Sequence, residues 1–345
     1  MRVALYVGRR FLLLIPQIFL ISFVTFVLVR LLPGDPARLQ LGPLAPEPAV
    51  QALRERLLLD QPLTHQYVAY LGRLFEGDFG QSWVNGTAVS QDLIERVPVT
   101  LELIIVSLIV VFVVLAPLAV VTASVARHIA IRFFQNVAFV YGMLAGALPD
   151  FLLGLLAIFF FFTLAGILPG PEGRLGLLDI PPPFVTGFLL IDCLIAGDFA
   201  TLGSAVKHMI LPVFTLAFVY GAPIFKMLRS RTEEALRADY TTYAEVIGLP
   251  SRLVFLRAMR VASGPTIVMT GVVSGFLLGG AVLVETVFNM NGLGQYAVQA
   301  ITTADYAAIQ GFVLVAAIFT MLVYLAVDLV YFAVDPRVKL GATVR

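Results

Sequence analysis

Long apolar segments alternate with polar ones along the chain of 345 residues. A helix that crosses the hydrocarbon of a bilayer needs about 20 mostly apolar residues. We predict one transmembrane helix in each segment that meets this requirement: residues 11–32, 99–123, 136–168, 208–228, 265–288 and 308–333. The pattern therefore predicts an all-α, polytopic membrane protein with six transmembrane helices.

The third apolar segment is longer than one span requires, and Pro149 interrupts it. Proline removes a backbone hydrogen bond and bends a helix. We interpret this segment as one tilted or kinked helix, and two half-helices are the alternative.

Polar stretches divide the chain into further regions. We assign the N-terminus and first span to residues 1–32, an external subdomain to 33–98, spans two to four with an external insert at 169–207 to 99–228, a cytoplasmic loop to 229–264, and the last two spans with the C-terminus to 265–345. The subdomain is predicted to begin with a turn at Pro33-Gly34 and to hold amphipathic helices at 49–59 and 67–75.

Composition and charge support a membrane location. Hydrophobic residues make up 59% of the chain and charged residues only 13%, against about 25% charged residues in soluble domains. A net charge of +1 creates no field that would attract nucleic acid. If the N-terminus is placed inside the cell, most of the 23 Lys and Arg residues fall on the inner side of the membrane, which predicts that both termini lie inside.

The sequence contains no motif that indicates a metal site or a nucleotide-binding site. Cys193 is the only cysteine, and His65, His128 and His208 are scattered, so no spacing suggests a metal site. The chain also lacks the glycine-rich phosphate loop of P-loop ATPases. We therefore expect no catalytic residue, no metal and no cofactor in this chain.

The cytoplasmic loop carries the most informative local signals. Ser230–Glu233 fits a capping box at a helix start. Asp239 is placed to cap a short helix over 240–247, and Gly248 to end it. Ser251 is placed to cap a third helix. The loop therefore reads as helix, short helix, helix.

This loop also contains a predicted apolar ridge. Leu236, Tyr240, Tyr243 and Ile247 recur at helical spacing among basic residues. Two interpretations stand side by side: the ridge fits a groove on a soluble partner, or it packs on the base of this same protein.

The order of several short motifs resembles one transporter family. The motifs are LLPGDP at 31–36, GDFGQS at 77–82, RVPVTLE at 96–102, LRADY at 236–240 before Gly248-Leu249, ETVF at 285–288, GLG at 292–294 and DPR at 335–337. Together they resemble the permeases of binding-protein-dependent ABC transporters, in particular the B-type inner-membrane subunit of the dipeptide, oligopeptide and nickel group. Ile247 departs from the lysine usual in the family.

The resemblance implies a machine of five parts in the bacterial inner membrane. This chain would have the ABC type I importer permease fold and would form the pathway with a second homologous permease. Two P-loop ATPase subunits would bind ATP and Mg, an external solute-binding protein would deliver the solute, and membrane lipid would surround the permeases. The implied solute is a di- or oligopeptide; a nickel chelate, a sugar or an opine is the alternative within the group.

The resemblance also implies roles for particular residues. The coupling helix that contacts an ATPase would involve Asp239, Tyr240, Tyr243, Ala244 and Gly248. Phe79 with its neighbours would belong to a docking surface for the binding protein, for which the candidates are Asp78, Phe79, Gly80 and Trp83. An external subdomain without a ligand of its own is the alternative.

Charged and small residues within the spans are the candidates for the pathway or its gate. They are Asp150, Phe151, Gly279, Glu285 and Asp328. Asp150 is alternatively a cap for a half-helix after Pro149, Glu285 an interfacial carboxylate, and Gly279 a helix-packing residue. A secondary transporter is the rival function, but such folds often contain internal repeats, and we find no convincing repeat here.

Overall fold

The computed structural model describes residues 2–31, 35–42, 44–84, 86–123 and 129–334. Within these ranges the secondary structure is helical, with one isolated β-bridge between Gln81 and Ala88 and no strand. The predicted turn residues Pro33-Gly34, His128 and the motif at 335–337 lie outside the described residues.

Fourteen α-helices occur in the described residues. They are α1 (Arg2–Arg30), α2 (Pro36–Leu41), α3 (Glu47–Arg56), α4 (Leu63–Phe75), α5 (Val89–Val110), α6 (Ala116–Ala123), α7 (Ile129–Ala147), α8 (Asp150–Ala157), α9 (Leu189–Ala196), α10 (Phe199–Arg237), α11 (Asp239–Val246), α12 (Ser251–Phe288), α13 (Leu293–Thr302) and α14 (Tyr306–Val334). Two π-helical segments continue α5 and α8: Val111–Leu115 and Ile158–Leu164.

Five helical stretches in the described part are long and apolar enough to cross a bilayer. They are Phe11–Arg30, Val89–Ala123, Phe199–Arg237, Ser251–Phe288 and Tyr306–Val334. A bent pair brings the number to six if it counts as one span. The predicted spans are therefore confirmed in position. Several helices extend well past the predicted limits. Pro98 and Pro265 stand at the predicted starts of two spans, and α5 and α12 continue through them.

The third predicted span is broken rather than kinked. Phe133–Ala147 and Asp150–Leu164 meet at an angle of 113°. Pro149 has an extended backbone (φ −61°, ψ 143°) and directly precedes the second helix. Because Pro149 has no N–H to continue the first helix, it starts a new one in another direction. The interpretation as one tilted or kinked helix is therefore wrong, and the alternative of two half-helices describes the structure.

The chain divides into two compact units. The N-terminal unit comprises the chain up to Val99 together with Asn291–Met321. In it, α4 lies along α1: the Tyr67 hydroxyl donates to the Phe19 carbonyl at 3.1 Å, and the Phe26 ring is 5.6 Å from the Tyr70 ring. The helices predicted at 49–59 and 67–75 occur as α3 and α4, each beginning earlier than expected.

The central unit comprises Thr100–Met290 and the chain from Leu322 onward. Its most extensive helix pair in the described residues is α10 with α12. Phe225 of α10 and Tyr141 of α7 are both buried, with their rings 5.2 Å apart. The region expected as an insert at 169–207 contains α9 and the first residues of α10.

Candidate functional site

The candidate site is the short helix α11 between the two longest helices. No helix begins at Ser230, because α10 runs without a break from Phe199 to Arg237. The predicted capping box at Ser230–Glu233 is therefore wrong. These side chains lie within a helix whose backbone amides are already bonded. Ala238, with φ −71° and ψ 149°, separates α10 from α11.

Both predicted side-chain caps in the loop are also wrong. Asp239 and Ser251 are the first residues of α11 and α12, and the residues before them, Ala238 and Pro250, provide no side-chain hydrogen bond. The start of α11 is instead fixed by the Thr241 hydroxyl, which donates to the carbonyl of Ala235 at 2.7 Å. This bond ties α11 to the last turn of α10.

The end of α11 has the geometry that its glycine suggests. Gly248 has φ +79°, in the left-handed region. Its N–H donates to the Glu245 carbonyl at 3.0 Å, and the Leu249 N–H donates to the Ala244 carbonyl at 3.1 Å. This pair of bonds is a Schellman motif, which satisfies the last carbonyls of a helix and needs a left-handed residue. Gly248 thus ends α11 as predicted.

The outer face of α11 is exposed and apolar. Tyr240 is 48% exposed, Tyr243 66% and Ile247 55%. Thr241 and Ala244 are buried in α11, whereas the two tyrosines and Ile247 are not. These side chains do not pack on the base of the same chain, as one interpretation of the ridge required. Leu236 belongs to α10, so the predicted stripe is divided between two helices.

The two long helices contact each other close to α11, and each of them also contacts α11. The Thr232 hydroxyl of α10 donates to the Met259 sulfur of α12 at 3.8 Å, and Val254 and Ala258 are buried nearby along the chain in α12. Arg237 forms an ion pair with Glu233 at 2.7 Å near the end of α10. In the chain, α11 therefore lies between two candidate spans, α10 and α12.

Asp150 is held by bonds within the central unit. It is buried at the first position of α8, accepts the Tyr220 hydroxyl at 2.9 Å and accepts the Phe151 N–H at 2.7 Å. These contacts agree with the structural role weighed for it. A pathway role stays a prediction. Phe151, next to it, is exposed.

The other pathway candidates occupy different environments. Glu285 is fully buried and accepts a hydrogen bond from the Thr100 hydroxyl. Asp328 is half-buried in α14. Gly279 faces open space, whereas a Cβ at the neighbouring Gly280 would lie 2.2 Å from the Tyr220 hydroxyl. Packing therefore explains Gly280 but not Gly279. The gate roles stay predictions.

Sequence reasoning missed the role of Glu102. Its buried carboxylate accepts the N–H groups of Leu189 and Leu190 at 3.1 and 2.8 Å, so α5 caps the start of α9. Arg174 lies 3.4 Å away. Burial lowers the pKa of Arg174, and the charge of Glu102 offsets part of that shift. A carboxylate inside an apolar run was the available signal, because such a group is costly without partners.

The docking candidates lie together in the N-terminal unit. Asp78 is exposed and accepts the Gly80 N–H at 2.8 Å. Phe79 and Trp83 are half-buried, and the Trp83 ring is 5.1 Å from the Tyr306 ring. Their docking role stays a prediction.

Comparisons with known proteins agree with this architecture. The family model for the binding-protein-dependent transport system inner membrane component matches residues 99–340, and the model for the N-terminal region of such components matches residues 3–104.

Full-length relatives are also similar. The chain is 38% identical to the probable D,D-dipeptide transport system permease protein DdpB of Escherichia coli (strain K12), over 93% of both chains. It is 36% identical to the di/tripeptide transport system permease protein DppB of Pseudomonas aeruginosa (strain UCBPP-PA14), over 97% of this chain and 98% of the relative. The glutathione transport system permease protein GsiC of Escherichia coli (strain K12) is 33% identical, over 97% of this chain and 98% of the relative.

The matches cover nearly the whole chain, and the five candidate spans with the bent pair agree with a multi-pass protein of the bacterial inner membrane. The chain therefore belongs to the family of inner membrane components of binding-protein-dependent transport systems, the permeases of ABC importers.

Proposed function

We propose that this chain is a pathway-forming permease of an ATP-driven importer of short peptides. The names of the relatives support the solute class, since those described above are named for dipeptides, for di- and tripeptides or for glutathione, itself a peptide. The exposed ridge on α11 supports the ATP-driven mechanism, and this is the single structural observation that carries it.

The proposed mechanism depends on two features of α11: its exposed tyrosines and its connection to α10 and α12. Tyr240 and Tyr243 are large, exposed and held on a short helix by the bond from Thr241 to Ala235. In the proposal, a groove on an ATPase subunit takes up this ridge. Closure of the ATPase pair on ATP then moves α11, and with it α10 and α12, between two arrangements.

Family membership implies ATPase and solute-binding partners in general. We propose the finer composition of two P-loop ATPases, a second homologous permease and one external binding protein. ATP and Mg²⁺ would bind in the ATPases and no cofactor in this chain. The N-terminus, the C-terminus and residues 229–264 would face the cytoplasm, and residues 33–98 the outside.

Uptake measurements test this proposal. Cells that lack the chromosomal copy of this chain would be supplied with isotope-labelled alanyl-alanine, with ⁶³Ni²⁺ in a chelate as a parallel solute. We expect peptide uptake to fall at least tenfold and to return with the plasmid-borne chain. Nickel uptake that falls while peptide uptake is unchanged would identify the alternative solute.

The energy source separates an ABC importer from a secondary transporter. Vanadate, which arrests ABC ATPases, should stop uptake in proteoliposomes that contain the complete complex and internal ATP. Uptake that continues without ATP and collapses with a proton or sodium ionophore would contradict the proposal.

A further inference from the structure

A polar cavity in the N-terminal unit is lined in part by the four docking candidates, Asp78, Phe79, Gly80 and Trp83, and the proposed transport mechanism assigns no ligand to its interior. Its volume is about 420 Å³. It lies where the outer turn of α1 meets α4 and the start of α14. Its lining includes Arg30, Arg73, Trp83 and Tyr306.

The cavity carries an excess of positive charge. Arg30, Arg56 and Arg73 line it, with Asp78 as the only acidic residue among the lining residues. Within the described residues, none of these three arginines takes part in an ion pair. Arg30 contacts the Phe26 ring, with its guanidinium carbon 5.2 Å from the ring centroid. The excess of cations favours an anionic ligand.

Three of the residues that line the same cavity carry an unused hydrogen-bond donor. Arg30 Nε, Trp83 Nε1 and Tyr306 Oη are buried and have no hydrogen-bond partner in the described part of the chain. Buried donors without partners are rare and costly in folded proteins. An oxyanion that accepts from two or three of them would remove that cost.

The position of the cavity selects the type of anion. Arg30 is the last residue of the first span, and α4 lies beside the preceding turns of that span. Exposed apolar side chains on α4, namely Leu63, Val68 and Phe75, give it a lipid-compatible surface. Tryptophan and tyrosine with polar tips are typical of the membrane interface, where lipid headgroups lie. The phosphodiester group of a phospholipid would lie at the depth of this interface.

We infer that this cavity binds the phosphodiester headgroup of a membrane phospholipid, with Arg30 and Arg73 contacting the phosphate. The donors of Trp83 and Tyr306 complete the contact. Bound lipid would join the end of the first span to the helices of the N-terminal unit. This site goes beyond the proposed transport function and does not depend on the solute.

Native mass spectrometry of the full-length chain tests the inference. The chain would be purified in detergent with its accompanying subunits, delipidated and titrated with dioleoyl phosphatidylglycerol. We expect Arg30→Gln and Arg73→Gln each to reduce retention of the bound lipid about fivefold, since an arginine near a lipid headgroup contributes on the order of 1 kcal/mol. Trp83→Phe, which keeps the ring and loses the N–H, should give a smaller loss.

Arg38→Gln is the matched control, because Arg38 lies in the same unit and its ion pair with Glu47 is exposed. It should retain the lipid like the natural chain. Arg73 is exposed, so its variant is expected to fold even if Arg30→Gln does not.

Three results would overturn the inference. One is equal retention by Arg73→Gln and Arg38→Gln. Another is equal retention of dioleoylglycerol, which has no phosphate. The third is displacement of the phospholipid by an equal concentration of inorganic phosphate or alanyl-alanine, which would make the cavity a site for a soluble ligand.

Discussion

Gly248 connects a local backbone conformation to transport. A valine there would have to adopt φ +79°. For residues with a side chain, the left-handed conformation costs roughly 1–2 kcal/mol, and β-branched residues fit it worst. No atom lies within 4 Å of a Cβ placed at Gly248, so the cost comes from the backbone and not from a clash.

This cost is concentrated on the end of α11. A penalty of roughly 1–2 kcal/mol shifts the ratio of the ordered to the frayed helix end by about 5- to 30-fold. The outer face of α11 is exposed, so few contacts in this chain compensate. We expect Gly248→Val to leave membrane insertion intact and to disorder the part of the chain proposed to contact the ATPase.

Proteoliposomes with the complete complex provide the assay. Gly248→Val should reduce peptide uptake per ATP hydrolysed at least fivefold. Gly248→Asn should lose much less, because asparagine tolerates the left-handed region. Gly203→Val is the control: this exposed residue of α10 also has open space around it, but its backbone is helical. Normal coupling in Gly248→Val would refute the reasoning.

Three further substitutions test other parts of the account. Replacing Tyr240 and Tyr243 together by Ala should release the ATPase subunits during purification, whereas unchanged retention would show that the exposed ridge is not their contact. Gly280→Ala should destabilise the protein by about 1–3 kcal/mol, because the new Cβ would lie 2.2 Å from the Tyr220 hydroxyl and 2.4 Å from its ring. Gly279→Ala, which faces open space, is the control, and equal thermal stability of the two would contradict the packing. Leu44→Cys should react with an impermeant thiol reagent added outside intact cells, because this side chain is 96% exposed and the native cysteine is buried; labelling only after permeabilisation would overturn the proposed topology.

The sequence was sufficient for the positions and order of the candidate spans. Span length is set by the thickness of the bilayer, so apolar runs of the right length can be read directly. The helix ends were not predictable in the same way. Ser230–Glu233 has the residue types of a capping box, but the same types occur inside exposed helical turns. Only the observation that α10 continues without interruption to Arg237 decides between these possibilities.

The helix-ending role of Gly248 could be predicted from the sequence, whereas the hydrogen-bond partners of Glu102 could not. A glycine followed closely by a proline after a helical pattern is a local signal, and the left-handed conformation at Gly248 agrees with it. Glu102 binds N–H groups 87 and 88 residues away, and no local pattern specifies such a partner. Pro149 indicated that the third span is interrupted, but the angle of 113° between its two helices depends on the packing around it.

The central claim is that this chain works in a membrane complex with ATPase subunits. Mass spectrometry of the proteins that co-purify with it from native membranes in a mild detergent tests that claim most directly. The account predicts recovery of a second six-span permease together with P-loop ATPase subunits. Repeated recovery of this chain alone, in several detergents, would contradict the account and favour a secondary transporter.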